Sequence, residues 1–253
     1  MPTHSLIQRF YPESSLLGHT FVDGTVAFYN SINNLISPNL YRTVLLDLGC
    51  GRGCFVDDIN SKENAYVQNL RNFKGRVKKV IGVDIDPNAS TNPALDEFHL
   101  IEINKSWPVA DASIDICISD WVIEHVQDIP FFFAELNRVI KKNGFVCFRT
   151  TNKFGYIALF SMMIRNKSHS KLLKKIQAFR KEEDVFPTVY KCNTRRKFVQ
   201  TLNENGFESF VYYHVSEPSY LTFSYLSFAF GYYIHKILPA VFKTTILAFG
   251  RKK

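Results

Sequence analysis

The sequence predicts an α/β fold built on a doubly wound, mostly parallel sheet, and three observations carry that prediction. Short β-rich runs alternate with helix-length stretches over the first 150 residues. The runs are almost continuously apolar, as strands are when helices cover both faces. The first run empties into a glycine-rich turn and the second ends on an acid, at the edge where open α/β sheets keep their ligand crevice. The 253 residues are 46% hydrophobic and 21% charged, which excludes a disordered chain, a collagen-like repeat and a disulfide scaffold. One α/β domain with insertions, or at most two small domains, suits that length.

Residues 1–40 are expected to form an N-terminal helical lid, with Phe28 and Tyr29 of Phe21–Ile32 placed over the crevice. The remaining residues, 41–253, form the main domain. Its expected strands are Thr43–Leu48, Lys79–Asp84, Phe98–Ile103, Ile114–Ser119 and Phe145–Thr150. Between them, Phe55, Ile59, Tyr66 and Leu70 share one helical face, as do Phe132, Leu136, Val139 and Ile140. The second of these helices should start beside Pro130 and stop at Gly144, a helix breaker. Beyond Thr150 come an expected crossover helix, Tyr156–Arg165, a helix Thr194–Asn205 ending at Gly206, and strands Phe207–Val215 and Thr245–Gly250.

The most informative string is Val44-Leu45-Leu46-Asp47-Leu48-Gly49-Cys50-Gly51-Arg52-Gly53. Glycine at three alternate positions permits positive φ and lets backbone approach a ligand without a Cβ between them. Dinucleotide enzymes use a related triplet, but theirs is spaced G-x-G-x-x-G. Here the spacing is G-x-G-x-G, and Asp47 lies two residues before the first glycine. A carboxylate in that turn would repel a pyrophosphate, yet it suits a ligand with an ammonium and a sulfonium charge. S-adenosylmethionine (SAM) carries both. In Gly82-Val83-Asp84-Ile85-Asp86-Pro87, Asp84 stands at the carboxyl end of the second strand, placed to accept two ribose hydroxyls. Ile85 would meet the adenine ring, and Asp86, before Pro87, is the better helix cap.

These residues, with Trp107-Pro108-Val109-Ala110-Asp111-Ala112-Ser113-Ile114-Asp115 and Ser119-Asp120-Trp121-Val122-Ile123-Glu124-His125-Val126, resemble class I SAM-dependent methyltransferases, especially the small-molecule type 11 group. The resemblance runs from about Thr43 to Asn152. It implies a Rossmann-like sheet of seven strands with the last one antiparallel, and SAM as cofactor. It also implies that Asp47, Gly49, Gly51 and Gly53 line the methionine end of SAM and that Asp84 and Ile85 meet its nucleoside. Asn104 would meet the adenine amine, although Glu102-Ile103-Asn104 departs from the family's usual Gly-Asp there. Asp120 and Trp121 would wall the site beneath the sulfonium. Methyl transfer needs orientation and a dry site more than acid catalysis. A hydroxyl acceptor would still need a base, for which His125 and its neighbour Glu124 are the candidates. The alternative is that both residues merely open a helix.

The acceptor is expected to be a small-molecule or lipid-linked compound methylated on O or N, or else on C. Two insertions beside the cofactor site should select it: a basic one at about 166–193 and an apolar, aromatic one at about 218–242. Between Arg165 and Lys197 stand eleven Lys or Arg against three acids, an excess equal to the whole chain's net charge of +8. Such a stretch either attracts anions, including an anionic membrane surface, or is a solvated helix face. No nucleic-acid motif accompanies it, and aromatic residues are not interleaved with it. Pro218–His235 has no Asp, Glu, Lys or Arg and holds seven Phe or Tyr. Three readings stay open for it: a helix packed on the domain or roofing a pocket, an interfacial helix, and a membrane span.

The five cysteines include no C-x-x-C pair, and Met1–Phe10 has no apolar core of a signal peptide. A reduced, cytoplasmic protein is the resulting expectation, with peripheral attachment to the inner face of a membrane left open beside it. Two other functions compete with methyl transfer. One is a nucleotide-dependent oxidoreductase, disfavoured by Asp47 and the glycine spacing; the other is a catalytically silent methyltransferase-like module that binds a membrane or partner.

Overall fold

The structure, a computed structural model, describes residues 2–53, 65–159 and 187–253. Seven strands form one sheet in the order β3-β2-β1-β4-β5-β7-β6. They are β1 (Val44–Leu48), β2 (Lys79–Asp84), β3 (Glu97–Leu100), β4 (Ile114–Asp120), β5 (Ile140–Thr151), β6 (Phe207–His214) and β7 (Thr245–Lys252). The first five pair in parallel, and β7 runs antiparallel to both β5 and β6. The expected seven strands, mostly parallel with an antiparallel last one, are therefore present.

Alternation along the strands sorts the core into two layers. Leu46, Cys117, Val146, Phe148 and Ile246 face one side, where α5 (Ile129–Val139) and α6 (Arg195–Glu204) cover them with Phe132, Phe133, Leu136, Phe198 and Leu202. Leu45, Ile116, Ile118, Cys147 and Leu247 face the other side. There they meet Phe28, Tyr29 and Ile32 of α3 (Gly24–Ile36), together with Val67 and Leu70 of α4 (Ala65–Arg71). The helix expected as part of a lid is thus a layer of the core on its buried face. Two shorter helices, α1 (Pro2–Phe10) and α2 (Ser14–Leu17), precede it.

Local chemistry sets the helix ends. Asp23 caps α3 by accepting from Thr25 N and Val26 N, and Asp128 caps α5 through Phe131 N at 2.9 Å. Asp86 caps the short 3-10 turn Pro87–Thr91, accepting from Asn88 N at 2.9 Å. The final helix, α7 (Tyr225–Ile237), starts at a capping box of Ser224 and Ser227.

Three sequence expectations need correcting. Helix α5 ends at Val139, five residues short of Gly144, because the chain re-enters the sheet at once with Ile140 against Ile114. Gly144 instead occupies an irregular part of β5, where an added Cβ would meet Asp115 O at 2.8 Å. Strand β3 stops at Leu100 rather than Ile103; Ile101 N still bonds Asp84 O at 2.9 Å, but β2 ends there and offers no further partner. No described helix is long and apolar enough to cross a membrane, so the spanning reading of 218–235 falls. In its place stand a 3-10 turn, Ser219–Leu221, and the thirteen-residue α7. Most of the helix beginning at Phe55, most of the Tyr156–Arg165 helix and most of the basic insertion lie outside the described residues.

Candidate active site

All parallel strands end on one edge, and the expected cofactor residues converge there. Asp47 is the penultimate residue of β1, and the turn beyond it is pinned by Gly49 N donating to Val83 O of β2 at 2.8 Å. Gly49, Gly51 and Gly53 have φ of +73°, +53° and +66°, the left-handed region that disfavours side chains. A Cβ on Gly49 would lie 2.3 Å from Val122 Cγ2, and one on Gly53 2.1 Å from Asn92 Oδ1. A Cβ on Gly51 would meet nothing within 4 Å among the described residues. Two of the glycines are thus required by packing, while the middle one borders open space.

Asp84 is built into the turn. Its Oδ2 accepts from Gly51 N and its Oδ1 from Asp86 N, both at 2.9 Å. Those bonds fix the carboxylate at the crevice and leave each oxygen a further lone pair. Ile85, next to it, is 43% exposed, an apolar surface beside a fixed acid. Asn92 completes the frame from behind, donating to Cys50 O at 3.0 Å and Gly51 O at 3.1 Å while accepting from Ala94 N.

The Asp47 carboxyl is pushed up to about 7, chiefly by burial and then by the nearby Asp120 charge, with Arg71 opposing. No hydrogen bond reaches that carboxylate among the described residues. A desolvated carboxylate that accepts no hydrogen bond is stabilised by a further cation beside it. The open space at Gly51, the fixed Asp84 and the exposed Ile85 therefore fit a ligand with a cationic end, vicinal hydroxyls and a flat apolar ring.

Asp120 ends β4 and is held by its neighbour. Arg149 of β5 donates from Nε to Oδ1 and from Nη2 to Oδ2, each at 2.7 Å, and Tyr29 Oη donates to Oδ2 at 3.1 Å. Arg149 Nη1 reaches Thr25 Oγ1 at 2.8 Å, tying α3 to the same group. Trp121 follows with φ +61°, a strained value for an aromatic residue, and its ring lies 5.2 Å from the Arg149 guanidinium carbon. Asp120 thus stands at the end of β4 as half of an ion pair with the buried Arg149. Asn104, also at positive φ (+59°), is exposed in the loop after β3.

Glu124 and His125 share a 3-10 turn, Ile123–His125, but their side chains part. Glu124 is buried, and its Oε2 accepts from Thr150 Oγ1 at 2.7 Å; Asn193 Nδ2 donates to that same hydroxyl at 2.7 Å. His125 is half-buried, with Nδ1 3.2 Å from Pro187 O. Sequence reasoning missed Arg149, Asn92, Thr150 and Asn193. Arg149 had a signal, the one charge in the expected strand Phe145–Thr150. No grouping of His, Cys, Asp and Glu able to hold a metal ion occurs among the described residues.

Comparison with known proteins bears on the fold and the family. A family model described as a methyltransferase domain, of the type 11 group, matches residues 46–148. A malonyl-[acyl-carrier protein] O-methyltransferase of Serratia marcescens is 33% identical over 110 residues, covering 42% of this chain and 37% of the relative. A ubiquinone biosynthesis O-methyltransferase of Pelagibacter ubique is 27% identical over 120 residues, covering 43% and 42% respectively. The matches thus span about two-fifths of these relatives' own length. The solved structure of a SAM-dependent methyltransferase from Archaeoglobus fulgidus superposes with TM-score 0.53 at 16% identity, covering 95% of this chain and 97% of the other, a likeness of fold.

Proposed function

We propose that residues 46–148, which match a methyltransferase domain model of the type 11 group, act as a class I SAM-dependent methyltransferase domain, and that the chain moves a methyl group from SAM to an oxygen of a small-molecule or lipid-linked acceptor. The observation that carries this reading is the residue set at the ends of β1 and β2: a half-buried Asp47 that no hydrogen bond reaches among the described residues, an open Gly51 and a braced Asp84. Bound SAM supplies a methyl group on a positively charged sulfur. Asp47 offers that cationic end its charge, and the backbone of Gly49–Gly53 allows close approach. Asp84 accepts from the ribose hydroxyls, Ile85 lies against the adenine and Asn104 meets its amine. The Asp120–Arg149 pair and Trp121 close the wall, which keeps water out and fixes the line of attack.

Oxygen is favoured over nitrogen or carbon as the acceptor atom because both relatives above are named O-methyltransferases. His125 takes the proton of a hydroxyl acceptor in this scheme, and Glu124 holds the turn that carries it. A carboxylate acceptor would need no base. An anionic membrane surface is the partner that a lipid-linked acceptor adds.

Calorimetry with SAM, its demethylated product and NAD tests the cofactor. Binding of the first two and not the third supports the reading, and binding of NAD alone overturns it. Incubation of labelled SAM with cell extract, followed by fractionation into lipid and aqueous phases, then locates the acceptor. Cofactor binding with no label transferred to any fraction would favour a catalytically silent module.

A further inference from the structure

Helix α7 is apolar on the side turned away from the protein. Phe228, Gly231 and His235 form its buried stripe. An added Cβ on Gly231 would lie 2.6 Å from Leu221 and 2.8 Å from Pro218, so the glycine seats the helix on the preceding turn. Phe10 of α1 packs on the rings of Tyr225, Phe228 and Tyr232, with centroids 5.0 to 5.5 Å away. On the outward side Leu226, Phe230, Tyr233 and Ile237 follow at intervals of four, three and four residues, the spacing of a single stripe. They are 78%, 66%, 62% and 76% exposed, and the exposed Phe223 extends the ridge past the helix start. A water-facing stripe at such positions is ordinarily polar.

The ridge has cations and no acids of its own. From Pro218 to Lys253 the sequence contains no Asp or Glu. Arg9 lies over the Tyr225 ring at 4.7 Å and Lys236 over the Tyr232 ring at 4.1 Å, so two exposed cations flank the apolar stripe. Two acids close to it in the chain are engaged elsewhere: Glu13 accepts from Phe21 N, and Glu217 accepts from Thr20 Oγ1. Aromatic and aliphatic side chains bordered by Lys and Arg match the boundary between acyl chains and anionic headgroups.

Location gives this face its use. Thr151 at the end of β5 and His214 at the end of β6 both pair with Thr245 at the start of β7. Residues 215–244, including α7, therefore leave and re-enter the sheet at the edge where Asp47, Asp84 and Asp120 lie. We propose that the ridge of Phe223, Leu226, Phe230, Tyr233 and Ile237 lies in the surface of an anionic lipid bilayer, and that it sets the cofactor edge of the sheet against that surface. For the identity of the acceptor, though not for the docking, this rests on the methyl transfer proposed above, whose acceptor would then be an amphiphile presented by the bilayer. A helix of thirteen residues lies along such a surface and does not cross it.

Co-sedimentation of the full chain with phosphatidylcholine vesicles, with and without phosphatidylglycerol, tests the docking. The full chain should pellet with the anionic vesicles and lose binding at high salt, and the double variant Leu226→Glu/Phe230→Glu should reduce the bound fraction by about tenfold or more. Unchanged melting temperature and SAM titration in the variant show that fold and cofactor site survive. A full chain left in the supernatant with anionic vesicles overturns the proposal, as does a variant that pellets equally well. So does light scattering that shows dimers which the variant dissociates while neither form binds vesicles. Vesicle binding without SAM binding would sink the enzymatic reading alone, and SAM binding without vesicle binding the docking alone.

Discussion

Arg149 grips Asp120 with two parallel hydrogen bonds of 2.7 Å, joining the ends of neighbouring strands β4 and β5 at the candidate site. Arg149 is buried and Asp120 is largely withdrawn from solvent, so each charge depends on the other. Removing one partner of such a pair leaves the other desolvated and uncompensated, at about 3–5 kcal/mol. Asp120→Ala and Arg149→Ala should therefore each lower the melting temperature by roughly 6–20 °C, taking about 2–4 °C per kcal/mol for a chain of this size. Thermal denaturation followed by circular dichroism reads this directly. A shift within about 2 °C for both would show that the pair carries no such load.

SAM affinity should rise with pH through about 7, where Asp47 ionises. The cationic cofactor prefers the carboxylate, so below that value binding takes up ligand and releases a proton. Affinity should then fall by up to about tenfold per pH unit. Asp47→Asn should bind weakly at all pH values and flatten the profile. Stability without cofactor has the opposite slope. A carboxyl raised on folding favours the protonated folded form, so stability should decline as pH climbs from the ordinary carboxylate range to about 7. Titration calorimetry in buffers of different ionisation enthalpy counts the proton.

The three glycines should separate by substitution to Ala. Gly49→Ala and Gly53→Ala drive a Cβ into Val122 and Asn92, on top of a positive φ, and should unfold the turn or cost more than about 3 kcal/mol. Gly51→Ala meets nothing within 4 Å and should cost only the left-handed backbone preference, about 1–2 kcal/mol. Its melting curve should stay near that of the unsubstituted chain while SAM binding is lost, because the new methyl group occupies ligand space.

His125 and Glu124 should also behave differently. His125→Gln should leave stability and SAM affinity alone and lower turnover on a hydroxyl acceptor by about 10²–10⁴-fold. Glu124→Ala should lose about 1–3 kcal/mol of stability, since it strips the buried Thr150 hydroxyl of its acceptor. Turnover of His125→Gln equal to that of the unsubstituted chain would remove the base from the scheme.

The sheet was legible in the sequence because buried parallel strands are continuous apolar runs, and the ends of β1 and β2 carry glycine and acid at fixed spacing. Lys79–Asp84 agrees to the residue; β1, β4, β6 and β7 agree at one end and differ by one or two residues at the other, while β3 and β5 differ at both ends by one to five residues. What composition cannot convey is side-chain partnership across the sheet. Asp120 reads as a free acid until Arg149, twenty-nine residues away, is seen against it. Glu124 and His125 are adjacent in sequence yet serve different neighbours. Gly144 looked like a helix stop because its chain conformation is local, whereas the need for it comes from the Asp115 carbonyl of another strand.

Strand β7 lies between β5 and β6, although it follows both in the chain. Until residues 245–252 are available, the outer side of β5 has unmet backbone donors and acceptors and β6 has no companion at all. A nascent or shortened polypeptide lacking this stretch would expose a sticky, unclosed seam, so its yield and solubility should hinge on the final strand more than on any helix.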